Sequence, residues 1–172
     1  MATLRRARLL GEAIGRFMAR TGKRVLVVGS GGISHEPPVP ELFGATPEIA
    51  ERLIAGRNPS EESRNARQAR TVAAARAFTQ GDSHLHPLNP EWDRAFLERL
   101  ASGELTAVDG MTNAAITRDG GKSAHEIRTW VAAFGALSAY GPYRASLDYY
   151  RAIPEWIAGF ATMHATPAAS AD

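Results

Sequence analysis

The order of apolar and polar positions divides the chain into helical stretches with few strands between them. Ala7, Leu10, Ile14, Phe17 and Met18 recur at helical spacing, which predicts an N-terminal helix that buries one face. That helix runs through Thr21 and Gly22 into Val25, Leu26, Val27 and Val28, a short all-apolar run bounded by basic residues and Gly29. Such a run is the pattern of a strand buried on both faces. Gly29, Ser30, Gly31 and Gly32 make a turn, and Pro37, Pro38 and Pro40 then forbid helix and sheet in a stiff loop. Thr46 caps a helix with Pro47 at its first position, ending near Ala55 before Gly56. Residues 60–79 read as a polar helix with a thin apolar face, placed on the surface or against a partner. Asn89 and Pro90 start a helix with Trp92, Phe96, Leu97 and Leu100 on one side. Ser123 opens the strongest helix, whose buried stripe is Ile127, Trp130, Val131, Phe134 and Leu137. Residues 147–153 alternate loosely as a second strand, and the stretch 166–172 reads as a frayed tail.

Five or six helices against one or two strands leave the helices without a sheet large enough to cover them, since such a sheet needs about four or more strands. The expected fold class is α/β, a layered sheet with helices on both faces, incomplete because further strands belong to sequence absent from this chain.

Composition narrows the function classes. The 172 residues, 44% hydrophobic and 22% charged, suit one globular domain and exclude a disordered chain, a collagen repeat and a coiled coil. The formal charge is only +2, and basic residues concentrate only before the first strand, in Arg5, Arg6, Arg8, Arg16, Arg20, Lys23 and Arg24. An Arg-rich, acid-poor start is also the pattern of a transit peptide. Its direct continuation into a strand favours a surface helix of an α/β unit. No nucleic-acid partner is expected without a longer basic stripe. No membrane partner is expected either, because no run approaches about 18 apolar residues. The absence of Cys removes disulfides, zinc fingers and a thiol nucleophile, so any metal falls to His and carboxylates.

Four places could carry chemistry. Gly29 to Gly32 after a strand invites a phosphate-loop reading, but the dinucleotide pattern needs Gly where Ser34 stands, and the prolines prevent a helix there. His35 sits at a strand end in a stiffened loop, a place suited to proton transfer, although a loop histidine bonded to backbone has the same signature. His84 and His86 share one face of an extended segment and, with a carboxylate, could make a two-His-one-carboxylate iron set; a polar loop is the plainer account. Glu126, three residues after Ser123, reads as a capping box, and alternatively as an ionised carboxylate favoured by the helix N-terminus.

Three ordered segments together resemble one family. Residues 29–38, GSGGISHEPP, resemble the G-S/T-G-G-x-S-H loop of class III extradiol ring-cleavage dioxygenases. Residues 89–97, NPEWDRAFL, resemble the N-x-x-W-D-x-x-F segment of those enzymes, and residues 121–130, GKSAHEIRTW, resemble their last metal-ligand helix. The resemblance spans residues 5–165 and covers only the C-terminal half of a family member, so residues 1–165 are expected to be that half of the catalytic domain. It implies iron(II), Fe(2+), as cofactor, with a catechol carrying a carboxylate side chain and dioxygen as partners. Glu126 matches the family's iron-ligand Glu and His35 its catalytic base, with Ser34 and Pro37 supporting the loop. Two iron-ligand His and an acid-acting His are implied in a missing N-terminal half, so the lone chain is expected to be inactive. Lys122 or Arg128 is expected to meet the substrate carboxylate. The resemblance also implies a cytoplasmic homo-oligomer. The rival expectations are a non-catalytic interaction module of the same fold and a self-sufficient metalloenzyme using His84, His86 and Glu126.

Overall fold

The computed structural model describes residues 1–56 and 58–168. Its elements are α1 (Leu4–Ala19), α2 (Pro47–Ala55), α3 (Glu61–Thr79), α4 (Pro90–Ala101), α5 (Asn113–Gly120), α6 (Ile127–Ser138), β1 (Tyr143–Ile153) and β2 (Ala158–Pro167), with short 3-10 turns between several of them. The chain is thus mixed α and β, with two strands in one antiparallel sheet among the described residues.

Helix starts follow the sequence closely because side-chain caps set them. The hydroxyls of Thr46 and Ser60 and the amide oxygen of Asn89 accept from the backbone N–H groups of Ile49, Ser63 and Trp92. Pro47 and Pro90 occupy the first helical positions, where no N–H is needed. Helix α3 lies on the surface with no buried residue, as its thin apolar face predicts. Helix α5 was missed by the periodicity; Thr112 caps it, and only Ile116 and Gly120 of its eight residues are buried.

The core lies between α4, α6 and one face of the hairpin, with Ile33, Phe96, Leu97, Leu100, Val108, Ile116, Ile127 and Val131 fully buried. Helix α1 joins it by an unexpected face. Leu10, Ile14 and Phe17 remain 60%, 42% and 62% exposed, while Leu4, Ala7, Gly11 and Gly15 are buried. The reason is backbone proximity to α6. A Cβ on Gly11 would stand 2.1 Å from the carbonyl oxygen of Ala132, and one on Gly15 would stand 2.1 Å from that of Ala136. Only glycine permits that approach. Gly11→Val should therefore lower stability by at least about 1–3 kcal/mol, the usual range for overpacking, in a urea melt. Arg8, from the same helix, donates to both carboxylate oxygens of Asp109 and to Glu12, which raises its pKa further.

Two strand expectations need correction. Residues 25–28 form no ladder, and Val25, Leu26, Val27 and Val28 are 47%, 86%, 40% and 76% exposed. An all-apolar strand is buried only when neighbouring strands cover it, and β2 bonds to residues 33–35, at Ala158 and Gly159, rather than to residues 25–28. The hairpin is larger than expected: β1 extends back to Tyr143, and β2 lies in a stretch whose Ala, Gly and Thr gave no strong signal. Thr166 and Pro167, assigned to the tail, pair with Arg144 and Tyr143; residues 169–172 lie outside the described residues.

Candidate active site

The segment from Gly31 to Glu36 is fixed on three sides. Ile33 donates its N–H to Gly159 and Gly159 donates its own to Ser34, which ties the segment to the start of β2. His35 donates its backbone N–H to the carbonyl of Gly120, and its own carbonyl accepts from Ser123. Gly121 makes this crossing possible, with φ +90 and a Cβ position only 2.9 Å from the His35 carbonyl oxygen.

Behind the loop lies a buried carboxylate. Asp93, 0% exposed, accepts the Ser34 N–H at 2.8 Å on one oxygen. Its other oxygen accepts the hydroxyls of Ser34 and Tyr150, each at 2.8 Å. The Ser34 hydroxyl oxygen in turn accepts the Asn89 N–H at 3.0 Å. Burial pushes the Asp93 carboxyl above its ordinary value, and the three donors pull it back only in part. Burial also raises the Tyr150 phenol, aided by its bond to Asp93, and the Arg94 guanidinium sits over that ring at 4.6 Å.

On the open side, His35 and Glu126 meet. His35 Nε2 lies 3.4 Å from Glu126 Oε2, with the histidine side chain 9% exposed and the glutamate 54%. The same Oε2 accepts the Gly32 N–H at 3.0 Å. Here the capping-box reading fails: Ser123 makes no side-chain cap bond, and Glu126 turns outward to the glycine loop. The glycines are required by contact, since a Cβ on Gly31 would stand 2.6 Å from Glu126 Cβ and one on Gly32 would stand 2.8 Å from the His35 ring.

The other candidates are spent elsewhere. Lys122 donates its backbone N–H to Glu36 and its ammonium to Glu41 at 2.8 Å. Arg128 donates to the carbonyls of Ala2 and His125 and to Asn113, with its pKa lowered by burial. That leaves Arg128 a tie to the N-terminus, and no contact joins it to His35 or Glu126. Pro37, half-buried, continues the loop directly after Glu36. His86 has both ring nitrogens against carbonyl oxygens, of Pro87 and Arg118, and His84 is exposed. Among the described residues no three His, Cys, Asp or Glu side chains gather as a metal set. The His84, His86 and Glu126 triad is thereby excluded. The residues fit one ligand position of an iron site, the half-open Glu126 carboxylate at the start of α6, and no complete set among the described residues. Asp93 lies within the segment 89–97 but shows its role only by contact, and Tyr150 lies in none of the three motif segments.

A glycine-rich loop here presents a histidine to a helix-borne glutamate. The chain belongs to the family described as the catalytic LigB subunit of aromatic ring-opening dioxygenase, whose model matches residues 1–161. It is 88% identical over 169 residues to a 2,3-dihydroxyphenylpropionate/2,3-dihydroxicinnamic acid 1,2-dioxygenase of Cupriavidus pinatubonensis, covering 98% of this chain and 54% of that protein. Proteins of the same name are similar in Paraburkholderia xenovorans, at 77% over 169 residues, covering 98% of this chain and 54% of the relative, and in Azotobacter vinelandii, at 58% over 164 residues, covering 95% and 53%. The chain therefore spans about half the length of the curated relatives it matches.

Proposed function

We propose that this chain provides the second half of an iron(II)-dependent extradiol dioxygenase site that opens the ring of 2,3-dihydroxyphenylpropionate or 2,3-dihydroxycinnamate. The observation that carries the reading is the pairing of His35 with Glu126 across a loop whose glycines admit no other residue. Glu126 would hold iron(II) together with two histidines of the other half. Iron(II) bound there would bring catechol and dioxygen together and pass electron density between them.

This chain's own residues do the proton chemistry. A catechol seated in the opening beside Glu126 would meet His35, whose Nε2 faces that opening. His35 takes the second phenolic proton at Nε2, which leaves the ring electron-rich enough for oxidation. The Nδ1 atom lies 3.3 Å from the Ile33 carbonyl, and the tautomer with its hydrogen on Nδ1 is the one in which Nε2 can accept a proton. Asp93 and Ser34 hold the backbone under that ring, so the base does not need to be positioned at each turnover. Lys122, whose amide is tied to Glu36 in the same loop, is proposed to meet the substrate carboxylate by exchanging its Glu41 partner. The assembled enzyme is proposed to be a cytoplasmic homo-oligomer; among the described residues no helix is long and apolar enough to cross a membrane.

Oxygen uptake with 2,3-dihydroxyphenylpropionate and iron(II) tests the reading, on the chain alone and with the first half of the Cupriavidus relative co-expressed. Turnover is expected only from the mixture. Turnover by the chain alone would overturn the need for outside ligands, and a silent but assembled mixture would overturn the activity.

A further inference from the structure

Glu126, Thr129 and Trp130 are spaced i, i+3 and i+4, so they share one face at the start of α6. That face receives the glycine loop residue by residue. The Thr129 hydroxyl donates to the Ser30 carbonyl at 2.7 Å, with the Glu126 carbonyl as a longer alternative at 3.0 Å. The Trp130 indole N–H donates to the Gly31 carbonyl at 3.0 Å, and Gly32 donates its own N–H to Glu126. A helical threonine ordinarily bonds back to its own helix. Here the shorter of its two contacts leaves for a segment 99 residues earlier in the chain. Glycine is what lets the loop lie so close, since a Cβ on Gly29 would stand 2.8 Å from the Thr129 carbonyl oxygen.

We propose that Thr129 and Trp130 are positioning residues that clasp the glycine loop to the turn of α6 carrying Glu126, and so set the place of His35 beside that carboxylate. The proposal rests on the reading of His35 as the base. Gly29, Gly31 and Gly32 allow the close docking, but they also leave the loop more backbone freedom than any other residues would. Bonds from outside the loop must therefore supply its stiffness. Asp93, Gly120 and Gly159 hold it from Ile33 onward, through contacts to α4, α5 and β2. The bonds at Ser30, Gly31 and Gly32 instead reach α6 itself. The segment that carries the base and the helix that carries Glu126 then move as one body, which keeps Nε2 and Oε2 at 3.4 Å. Displacement of a reacting group by about 1 Å costs on the order of a hundredfold in rate.

Two arms test this: amide hydrogen exchange on the chain alone, and oxygen uptake by the chain assembled with the co-expressed first half of the Cupriavidus relative. Thr129→Val, at an exposed position, and Trp130→Phe, which keeps an aromatic ring in a buried place, each remove one donor. In the chain alone the Gly32 amide should exchange about tenfold faster in either variant, the equivalent of one hydrogen bond, while amides inside α4 keep parent rates. In the assembly each variant should lower kcat on the order of tenfold with KM unchanged. Thr129→Ser restores the hydroxyl and should run at the parent rate. Thr71→Val, which removes a similar hydroxyl bond within α3, should change neither arm. In a His35→Ala background both variants should lower kcat by less than about twofold more, because the group they position is gone. A merely structural role would cost the same factor with or without His35. An unchanged Gly32 amide, an unchanged kcat or full additivity with His35→Ala would overturn the proposal. A parent assembly that does not turn over would remove the proposed activity, and a quickened Gly32 amide in both variants would still uphold the clasp.

Discussion

In the assembled enzyme, His35→Ala should lower kcat by about 10²–10⁴, the usual contribution of a positioned general base, with KM little changed. The ring stands 3.4 Å from Glu126 and makes one long contact to the Ile33 carbonyl, at 3.3 Å. Its removal therefore takes away the proton acceptor while the loop keeps its backbone ties to Gly120, Ser123 and Gly159. Glu126 also keeps its bond from Gly32, so iron affinity should change less than turnover. Steady-state oxygen uptake, with iron content and a urea melt measured on the same sample, separates these effects. A loss of less than about tenfold with the fold intact would remove His35 from the role of base.

Asp93→Ala should be the most destabilising single change near the site, by about 3–5 kcal/mol. It strands the Ser34 N–H and two hydroxyls inside the protein, and each buried group left without a partner costs about 1–3 kcal/mol. Gly159 of β2 has no side chain to fill the vacated space, because in the parent chain its Cβ would lie 1.9 Å from the Asp93 carboxylate. Asp93→Asn should cost only about 1 kcal/mol, because its carbonyl can still accept from Ser34 N–H while the two hydroxyls turn to receive its amide. The pair also predicts a pH dependence. Burial raises the Asp93 carboxyl above its ordinary value of 3.8, so in the window above that value the folded chain holds a proton that the unfolded chain has lost. Stability from this group is thus present at low pH and falls as pH rises through the raised value. Urea melts from about pH 3 to about pH 8 should show the parent losing stability relative to Asp93→Asn across that window, then running level. The lowered carboxyls of Asp119 and Glu41 act in the opposite sense, but both are solvent-exposed ion pairs of small effect. A difference that stays flat with pH would show that Asp93 holds its proton equally well in the folded and unfolded chain.

The parts of the fold that the sequence revealed are those governed by local chemistry. Thr46 with Pro47, Ser60, and Asn89 with Pro90 mark helix starts because capping satisfies N–H groups within three residues. The stripe of Ile127, Trp130, Val131 and Phe134 was readable because α6 sits in the core and must be apolar on that face. Periodicity misjudged α1 because Leu10, Ile14 and Phe17 outweigh Gly11 and Gly15 in hydrophobicity, yet the glycines decide how near α6 can come.

The site divides in the same way. Gly31, Gly32, His35 and Glu126 could be named from the motifs, because they lie within the two short segments 29–38 and 121–130. That Glu126 abandons a capping box for the Gly32 N–H depended on a contact 94 residues away along the chain. Tyr150 reaches Asp93 across 57 residues and Lys122 meets Glu41 across 81, pairings that no local pattern encodes. The sequence by itself determined the capped helix starts at Pro47, Glu61 and Pro90, the family, and His35 and Glu126 as residues to watch. Only the tertiary structure decided which face of α1 is buried, what holds Ser34 from behind and that residues 25–28 lack a partner. Those depend on distances between remote segments and on which backbone groups find a neighbour, and hydrophobic periodicity reports neither.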